Sequence, residues 1–175
     1  MIDKEILRDF QQESKGLILT MVEILEDCED NFLRVKRLEE YGQVVDRIMG
    51  GAKSLALLEK DKDNLIYKIG DYAAVCKAVG YKASQIQGNE DFYKICVALL
   101  LDATEVLEQM INSLDKKVFE DIRGFISQTL LDRVKWVSAK FGGEYRASVA
   151  VNKAAAPQKL NQSEIDNLLA KLGLG

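Results

Sequence analysis

The stretch NEDFYKICVALLLDATEVLEQMINSL, residues 89–114, decides the fold class of this chain. Asn89 stands where a helix N-cap belongs, because its side-chain carbonyl can accept a hydrogen bond from an unpaired backbone N–H of the first turn. The apolar residues behind it recur at the three- and four-residue spacing of one helical face. They are Phe92, Ile95, Leu99, Val106, Met110 and Leu114. The stretch therefore predicts a long amphipathic helix with one side in a core.

The same periodicity continues on both sides of this helix. The other predicted helices cover residues 3–29, about 31–58, about 65–80 and 115–142. The polar segment EKDKDN, residues 59–64, lacks the glycine and terminal glutamate of a calcium-binding EF-hand loop, so it is interpreted as a helix-capping turn. We expect an all-α antiparallel bundle of four or five helices over residues 1–141.

Composition is that of an ordinary globular protein, with 47% apolar and 30% charged residues. A net charge of −4 gives no electrostatic footprint for nucleic acid. No segment approaches the run of about 20 apolar residues that spans a bilayer. The charged N-terminus MIDKEILRDF lacks the apolar region of a signal peptide. We therefore expect a cytoplasmic protein that neither binds nucleic acid nor inserts into a membrane.

Two residue types limit the chemistry. Histidine is absent, which excludes imidazole base catalysis, histidine metal ligands and phosphohistidine. Cys28, Cys76 and Cys96 are far apart, show no metal-binding spacing and fall within predicted helices. We interpret them as small core residues, and we expect no metal site and no cofactor belonging to the protein itself.

The C-terminal part divides into a linker and a short helix. Residues 142–159, GGEYRASVAVNKAAAPQK, are small, polar and aperiodic, which is typical of a flexible linker. Residues 160–175, LNQSEIDNLLAKLGLG, predict an amphipathic helix in which Asn161 and Glu164 have capping-box spacing and Gly173 is the C-terminal stop. Because so short a helix is marginal in water, it must pack on its own domain or in a partner's groove.

The amino-acid sequence of this segment resembles motifs of two chemotaxis protein families. LNQSEIDNLL resembles the LSQxEIDxLL segment of the flagellar switch protein FliM, and IDNLLAKLG resembles the closing segment of the phosphatase CheZ. In both families the segment binds the phosphorylated response regulator CheY, so the resemblance implies a CheY-type partner. The implied apolar anchors are Ile165, Leu168, Leu169 and Leu172, and the implied polar contacts are Glu164, Asp166 and Asn167.

A second resemblance lies in the second predicted helix. VVDRIMGGAKSLAL, residues 44–57, resembles the A-H-x-L-K-G-x-A-x-x-L helix of histidine-phosphotransfer (HPt) domains. Gly50 matches the small residue at which a partner receiver domain approaches, Asp46 replaces the phosphorylated histidine, and Met49 replaces the lysine. The resemblance implies an HPt-like bundle that docks receivers but carries no phosphoryl group. Close helix packing is the other explanation for the small residues at positions 50–52.

Both resemblances imply a receiver domain, which raises the question of catalysis. CheZ uses an acid and a glutamine four residues apart, in a D-L-T-G-Q string, while the receiver supplies Mg²⁺. The amide orients the attacking water and the acid pairs with the receiver's lysine. The nearest string here, DIRGF at residues 121–125, has Phe125 in place of the glutamine.

Acid–amide pairs with helical spacing do occur elsewhere. Glu39 and Gln43 are the preferred catalytic candidates, because they share a helical face with Asp46 and Gly50. Two further pairs lie on the fourth helix: Glu105 with Gln109, and Glu108 with Asn112. Each pair is also what a solvated helix face produces by chance.

The sequence therefore predicts a chemotaxis regulator that captures phosphorylated CheY and promotes its dephosphorylation. The alternatives are a non-catalytic CheY-binding adaptor and a flagellar-switch-associated HPt-like protein without its histidine. A homodimer is left open.

Overall fold

The computed structural model describes residues 1–116, 121–142 and 162–174. Within these ranges the chain forms six α-helices and no β-strand, which confirms the all-α prediction. The helices are α1 (Lys4–Cys28), α2 (Leu38–Ala56), α3 (Leu65–Ala83), α4 (Glu90–Asn112), α5 (Gln128–Gly142) and α6 (Gln162–Lys171). None of the described helices is both long and apolar enough to cross a membrane.

Helices α1 to α4 form an antiparallel four-helix bundle, in which each helix packs on the next and α4 closes against α1. Two hydrogen bonds show the antiparallel course of α1 and α4. The Gln11 side-chain amide, near the start of α1, donates to the Ile111 carbonyl, near the end of α4, at 2.8 Å. At the other end, the Tyr93 hydroxyl donates to the Cys28 carbonyl at 2.5 Å.

Hydrogen bonds of buried tyrosines connect the helices at the centre of this bundle. The hydroxyls of Tyr41 and Thr104 lie 2.9 Å apart, joining α2 to α4 across the diagonal. Because Thr104 donates its own proton to the Leu100 carbonyl at 2.6 Å, Tyr41 is the donor in this pair. Tyr72 of α3 donates to the Ala103 carbonyl at 2.7 Å. Burial raises the pKa of Tyr41 and of Tyr72 well above the usual value, so both hydroxyls remain neutral donors.

Two glycines allow α2 and α3 to approach each other closely. A Cβ at Gly80 of α3 would lie 2.7 Å from Cδ1 of Tyr41, and a Cβ at Gly42 of α2 would lie 2.8 Å from Cε2 of Tyr81. Each glycine therefore receives a tyrosine ring from the opposite helix. Among the helices that the structure describes, α2 and α3 share the most extensive interface.

Helices α5 and α6 form a second layer on one side of the bundle. α5 packs on α4, and α6 packs on α3 and α5. The Phe92 ring of α4 meets the rings of Phe141 and Trp136 of α5 edge to face, with centroids 5.0 and 6.3 Å apart. In the described residues, neither α5 nor α6 makes an extensive contact with α1 or α2. The outer face of α1 and α2 is therefore left uncovered by this layer.

Several local predictions are confirmed. Asn64 caps α3 by accepting from the Ile66 N–H at 3.0 Å, so residues 59–64 are a capping turn as predicted. Asn89 caps α4 by accepting from the Phe92 N–H at 3.1 Å. The three cysteines are buried and free, as expected of core residues.

Two predicted helix boundaries are wrong. The fifth helix was expected from Asp115, but α5 begins at Gln128, after a 3₁₀ turn over Ile122–Gly124. A separate helix begins here because Asp121 caps the 3₁₀ turn and the Ser127 hydroxyl accepts a hydrogen bond from the Leu130 N–H at 3.1 Å. The second helix is also shorter than expected, since Phe32–Arg37 forms a 3₁₀ segment ahead of α2. Of the predicted linker, Gly142 ends α5 and residues 143–159 lie outside the described residues.

Replacing Gly80 with alanine is expected to destabilise the protein by about 1–3 kcal/mol, because the new Cβ must displace the Tyr41 ring from its hydrogen bond with Thr104. Chemical denaturation measures the change. Gly16→Ala is the matched control, because its Cβ would meet no atom within 4 Å. A Gly80→Ala protein as stable as the wild type would show that the α2–α3 approach is not tight.

Candidate functional site

One exposed face of α2 carries the residues that the sequence grouped together. Glu39, Gln43, Asp46 and Gly50 follow one another at spacings of four, three and four residues, and all four are exposed. In the part of the chain that the structure describes, the Gln43 side chain has no hydrogen-bond partner. Its amide is therefore available to a water or to a second molecule.

The carboxylate of Asp46 is paired with a lysine from the neighbouring helix. Lys77 of α3 places its Nζ 2.6 Å from Oδ1 of Asp46. The Lys77 side chain is 16% exposed, and its Nζ lies 5.9 Å from the centroid of the Tyr81 ring. Burial raises the pKa of Tyr81, an effect that Lys77 opposes and that Asp46 and Glu39 reinforce. These groups therefore form one electrostatic cluster along the α2–α3 seam.

Among the described residues, no packing contact requires a glycine at position 50. A Cβ at Gly50 would meet no atom within 4 Å, whereas a Cβ at Gly51 would lie 3.0 Å from Cε2 of Phe10. Ala52 is fully buried. Close helix packing therefore explains the small residues at positions 51 and 52 but not the one at position 50. A glycine inside a helix costs about 1 kcal/mol relative to alanine, so helix propensity does not explain Gly50 either, and the same holds for the equally open Gly16 of α1.

The acid–amide pairs of α4 lie elsewhere on the molecule. Glu105 and Gln109 line an open cavity of about 290 Å³ between α4 and the start of α5, together with Phe125 and Arg133. Arg133 is ion-paired with Asp102 in the same cavity. Of the third pair, Glu108 is half-buried and Asn112 is exposed. Neither pair shares a face with Asp46 and Gly50.

The DIRGF string does not reproduce the CheZ arrangement. Asp121 precedes a 3₁₀ turn rather than an α-helix, and its carboxylate accepts from the Arg123 N–H at 3.3 Å. The half-buried side chain of Phe125 contacts the core. Asp121 and position 125 are therefore not one turn apart on an α-helical face.

The C-terminal helix α6 packs in a groove between α3 and α5. Leu168 is half-buried there, and Asp166 and Asn167 are exposed. The fully buried apolar residues of this segment are Ile165, Leu169, Leu172 and Leu174. The interpretation that this helix packs on its own domain is thus what the structure shows, and its capture by a partner stays a prediction.

The end of α6 is capped in the way the sequence indicates. Gly173 adopts φ +77°, and the N–H groups of Gly173 and Leu174 donate to the carbonyls of Ala170 and Leu169 at 3.0 and 2.9 Å. This is the hydrogen-bond pattern of a Schellman motif, which confirms Gly173 as the stop. The predicted capping residue Asn161 lies outside the described residues.

Three cations that the sequence did not single out surround α6. Lys68 and Arg123 donate to the carbonyls of Lys171 and Gly173, at 3.5 and 3.2 Å. At the other end of α6, Lys82 lies close enough to Glu164 for the carboxylate to raise the pKa of the lysine, against a larger lowering by burial. No local motif marks these lysines and this arginine, because only the tertiary fold brings them to α6.

No family model, curated protein or solved structure matches this chain. Within the described residues, no group of three or more acidic or cysteine side chains is arranged to hold a metal ion.

Replacing Gly50 with alanine is expected to stabilise the protein by about 0.5–1 kcal/mol, because the methyl group enters open space and the helix gains propensity. Gly16→Ala in α1 should give a similar gain, since its Cβ also meets nothing within 4 Å. Thermal or chemical denaturation of the two variants measures both changes. A loss of stability at Gly50 alone would mean that this position is packed after all.

Proposed function

We propose that this protein is a cytoplasmic chemotaxis regulator that binds a phosphorylated CheY-type response regulator and promotes its dephosphorylation. In this proposal α6 binds the receiver domain, and the exposed face of α2 docks against its phosphorylation site. The observation that carries the proposal is that Gln43, Asp46 and the open Gly50 lie together on one exposed face of α2, on the side of the bundle that α5 and α6 leave uncovered.

The architecture supports docking on α2. An antiparallel four-helix bundle is what the HPt resemblance implies, and Gly50 lies one turn after Asp46, as the small residue follows the histidine in that motif. A missing side chain lets a partner's backbone approach the helix closely. Since this chain has no histidine, docking there would serve a purpose other than phosphoryl relay.

The negative charge of Asp46 is balanced by a lysine, which permits an acidic partner. A receiver's phosphorylation site is lined by carboxylates, and an unpaired aspartate facing it would be repelled. Lys77 reaches Asp46 from α3 at 2.6 Å and balances its charge. The pair thereby places a lysine beside Asp46, while Met49 occupies the position at which the HPt-like pattern has its own lysine.

Gln43 and Glu39 would supply the chemistry. An amide can accept a hydrogen bond from a water and donate another, so Gln43 would orient a water in line with the phosphorus. Glu39, four residues before it, would pair with the receiver's lysine. The Mg²⁺ and the phosphorylated aspartate belong to the receiver, so the proposal needs no cofactor on this chain.

One observation favours a non-catalytic adaptor as the second candidate. Among the described residues, neither Glu39 nor Gln43 has a hydrogen-bond partner, whereas a preorganised catalytic pair is usually held by its neighbours. In that case the protein would hold the regulator without hydrolysing its phosphate. A related role is that of an HPt-like protein at the flagellar switch, where α6 would compete with the FliM segment it resembles.

The docking proposal predicts that Gly50→Leu weakens receiver binding about tenfold or more, because a side chain then separates the two surfaces. Gly16→Leu is the control, being an equally open glycine on α1. Titration calorimetry with a beryllofluoride-activated CheY-type receiver from the same organism measures both affinities. Equal affinities for the two variants would remove the α2 face from the interface.

The catalytic proposal predicts that Gln43→Ala abolishes the acceleration of phosphoaspartate decay while leaving receiver affinity within about twofold, because the amide acts on the water rather than on the partner. The decay of the phosphorylated receiver, followed by intrinsic fluorescence or by radiolabel, is the measurement. Gln109→Ala provides the matched control on the other acid–amide face. If Gln109→Ala is inactive and Gln43→Ala is active, the catalytic residues lie in the α4 cavity instead. If the wild-type protein does not accelerate the decay, the non-catalytic adaptor is the function that remains.

A further inference from the structure

The face of α6 that would bind a receiver is the face that is buried. Ile165, Leu169 and Leu172 are 0%, 4% and 1% exposed in the groove between α3 and α5. These residues are three of the four apolar anchors in the proposed interaction with the regulator. One apolar stripe cannot fill two grooves at once, so α6 has to leave this groove before a receiver can hold it by the same residues.

The groove contacts polar groups of α6 as well as its apolar stripe. Glu164, in the first turn of α6, lies near Lys82, late in α3, and the Lys171 carbonyl accepts from Lys68, early in α3. The helix therefore runs antiparallel to α3. Arg123, ahead of α5, donates to the Gly173 carbonyl at 3.2 Å. Lys68 thus satisfies a carbonyl that the helix C-terminus leaves unpaired, Arg123 satisfies a carbonyl just beyond it, and both cations interact favourably with the helix dipole.

Because α6 is short, its helical form depends on packing against another surface. With 10 residues, it is too short to be a stable helix in water without a surface to pack on. Its helical form therefore depends on occupying either the groove or a partner. A helix with this dependence can exchange between two hosts when their affinities are comparable.

We propose that the groove between α3 and α5 competes with the receiver domain for α6, so that the chain masks its own partner-binding face. This inference rests on the proposed function of α6. A receiver then sees only the fraction of molecules in which α6 is released, and its apparent affinity falls by that fraction. Weakening the groove should consequently tighten the complex.

The test uses the full chain with Lys68→Ala and Arg123→Ala, which remove groove contacts to backbone carbonyls and change no side chain of α6. Each variant is expected to bind the beryllofluoride-activated receiver about fivefold more tightly, as the loss of one hydrogen bond predicts. A synthetic peptide covering residues 160–175, which has no groove, measures the affinity of this segment alone. Arg133→Ala is the control, because Arg133 pairs with Asp102 and not with α6.

Hydrogen exchange of the α6 amides, measured without receiver, reports whether the variants loosen the groove. Faster exchange with unchanged affinity would overturn the inference while leaving the proposed function intact, provided the peptide binds. Unchanged exchange in both variants would overturn it as well, since these cations would then not hold α6. Failure of both the peptide and the full chain to bind the receiver would instead overturn the proposed function.

Discussion

The close approach of α2 and α3 is the constraint on which the rest of this structure depends. Tyr41 packs over Gly80 and Tyr81 packs over Gly42, so each helix gives up a side chain to admit a ring from the other. The Tyr41 ring extends this contact to α4 through Thr104. The Tyr81 ring lies beside Lys77, which pairs with Asp46. The packing that closes the core thus also sets the charge pattern of the exposed α2 face.

The second layer divides the bundle into two sides of different character. Because α5 and α6 pack on α4 and α3, the outer surfaces of α1 and α2 keep their polar and glycine positions in solvent. The two sides differ in kind. The α2 side offers exposed polar groups and an open backbone position, whereas the α3 side holds an amphipathic helix whose apolar face is covered.

Sequence patterns predicted those features that depend on near neighbours in the chain. The caps at Asn64 and Asn89 and the stop at Gly173 are local hydrogen bonds, so residue type and spacing suffice to place them. The early start predicted for the fifth helix was wrong because apolar periodicity runs through the 3₁₀ turn, where the side-chain hydrogen bonds of Asp121 and Ser127 interrupt the helix. Side chains that act across helices give no such signal. The pairing of Lys77 with Asp46 and the contacts that hold α6 required the tertiary fold.

Taken together, the two proposals imply an order of events. The anchors of α6 are buried in the resting chain, while Gln43, Asp46 and Gly50 are exposed, so a receiver would first meet the α2 face. A receiver held there stays near the tail at high effective concentration, which favours capture of α6 whenever it leaves its groove. Each contact is then weak alone and the pair is stronger, because the second binding event is intramolecular. Release follows the same logic, since α6 returns to a groove that remains part of its own chain.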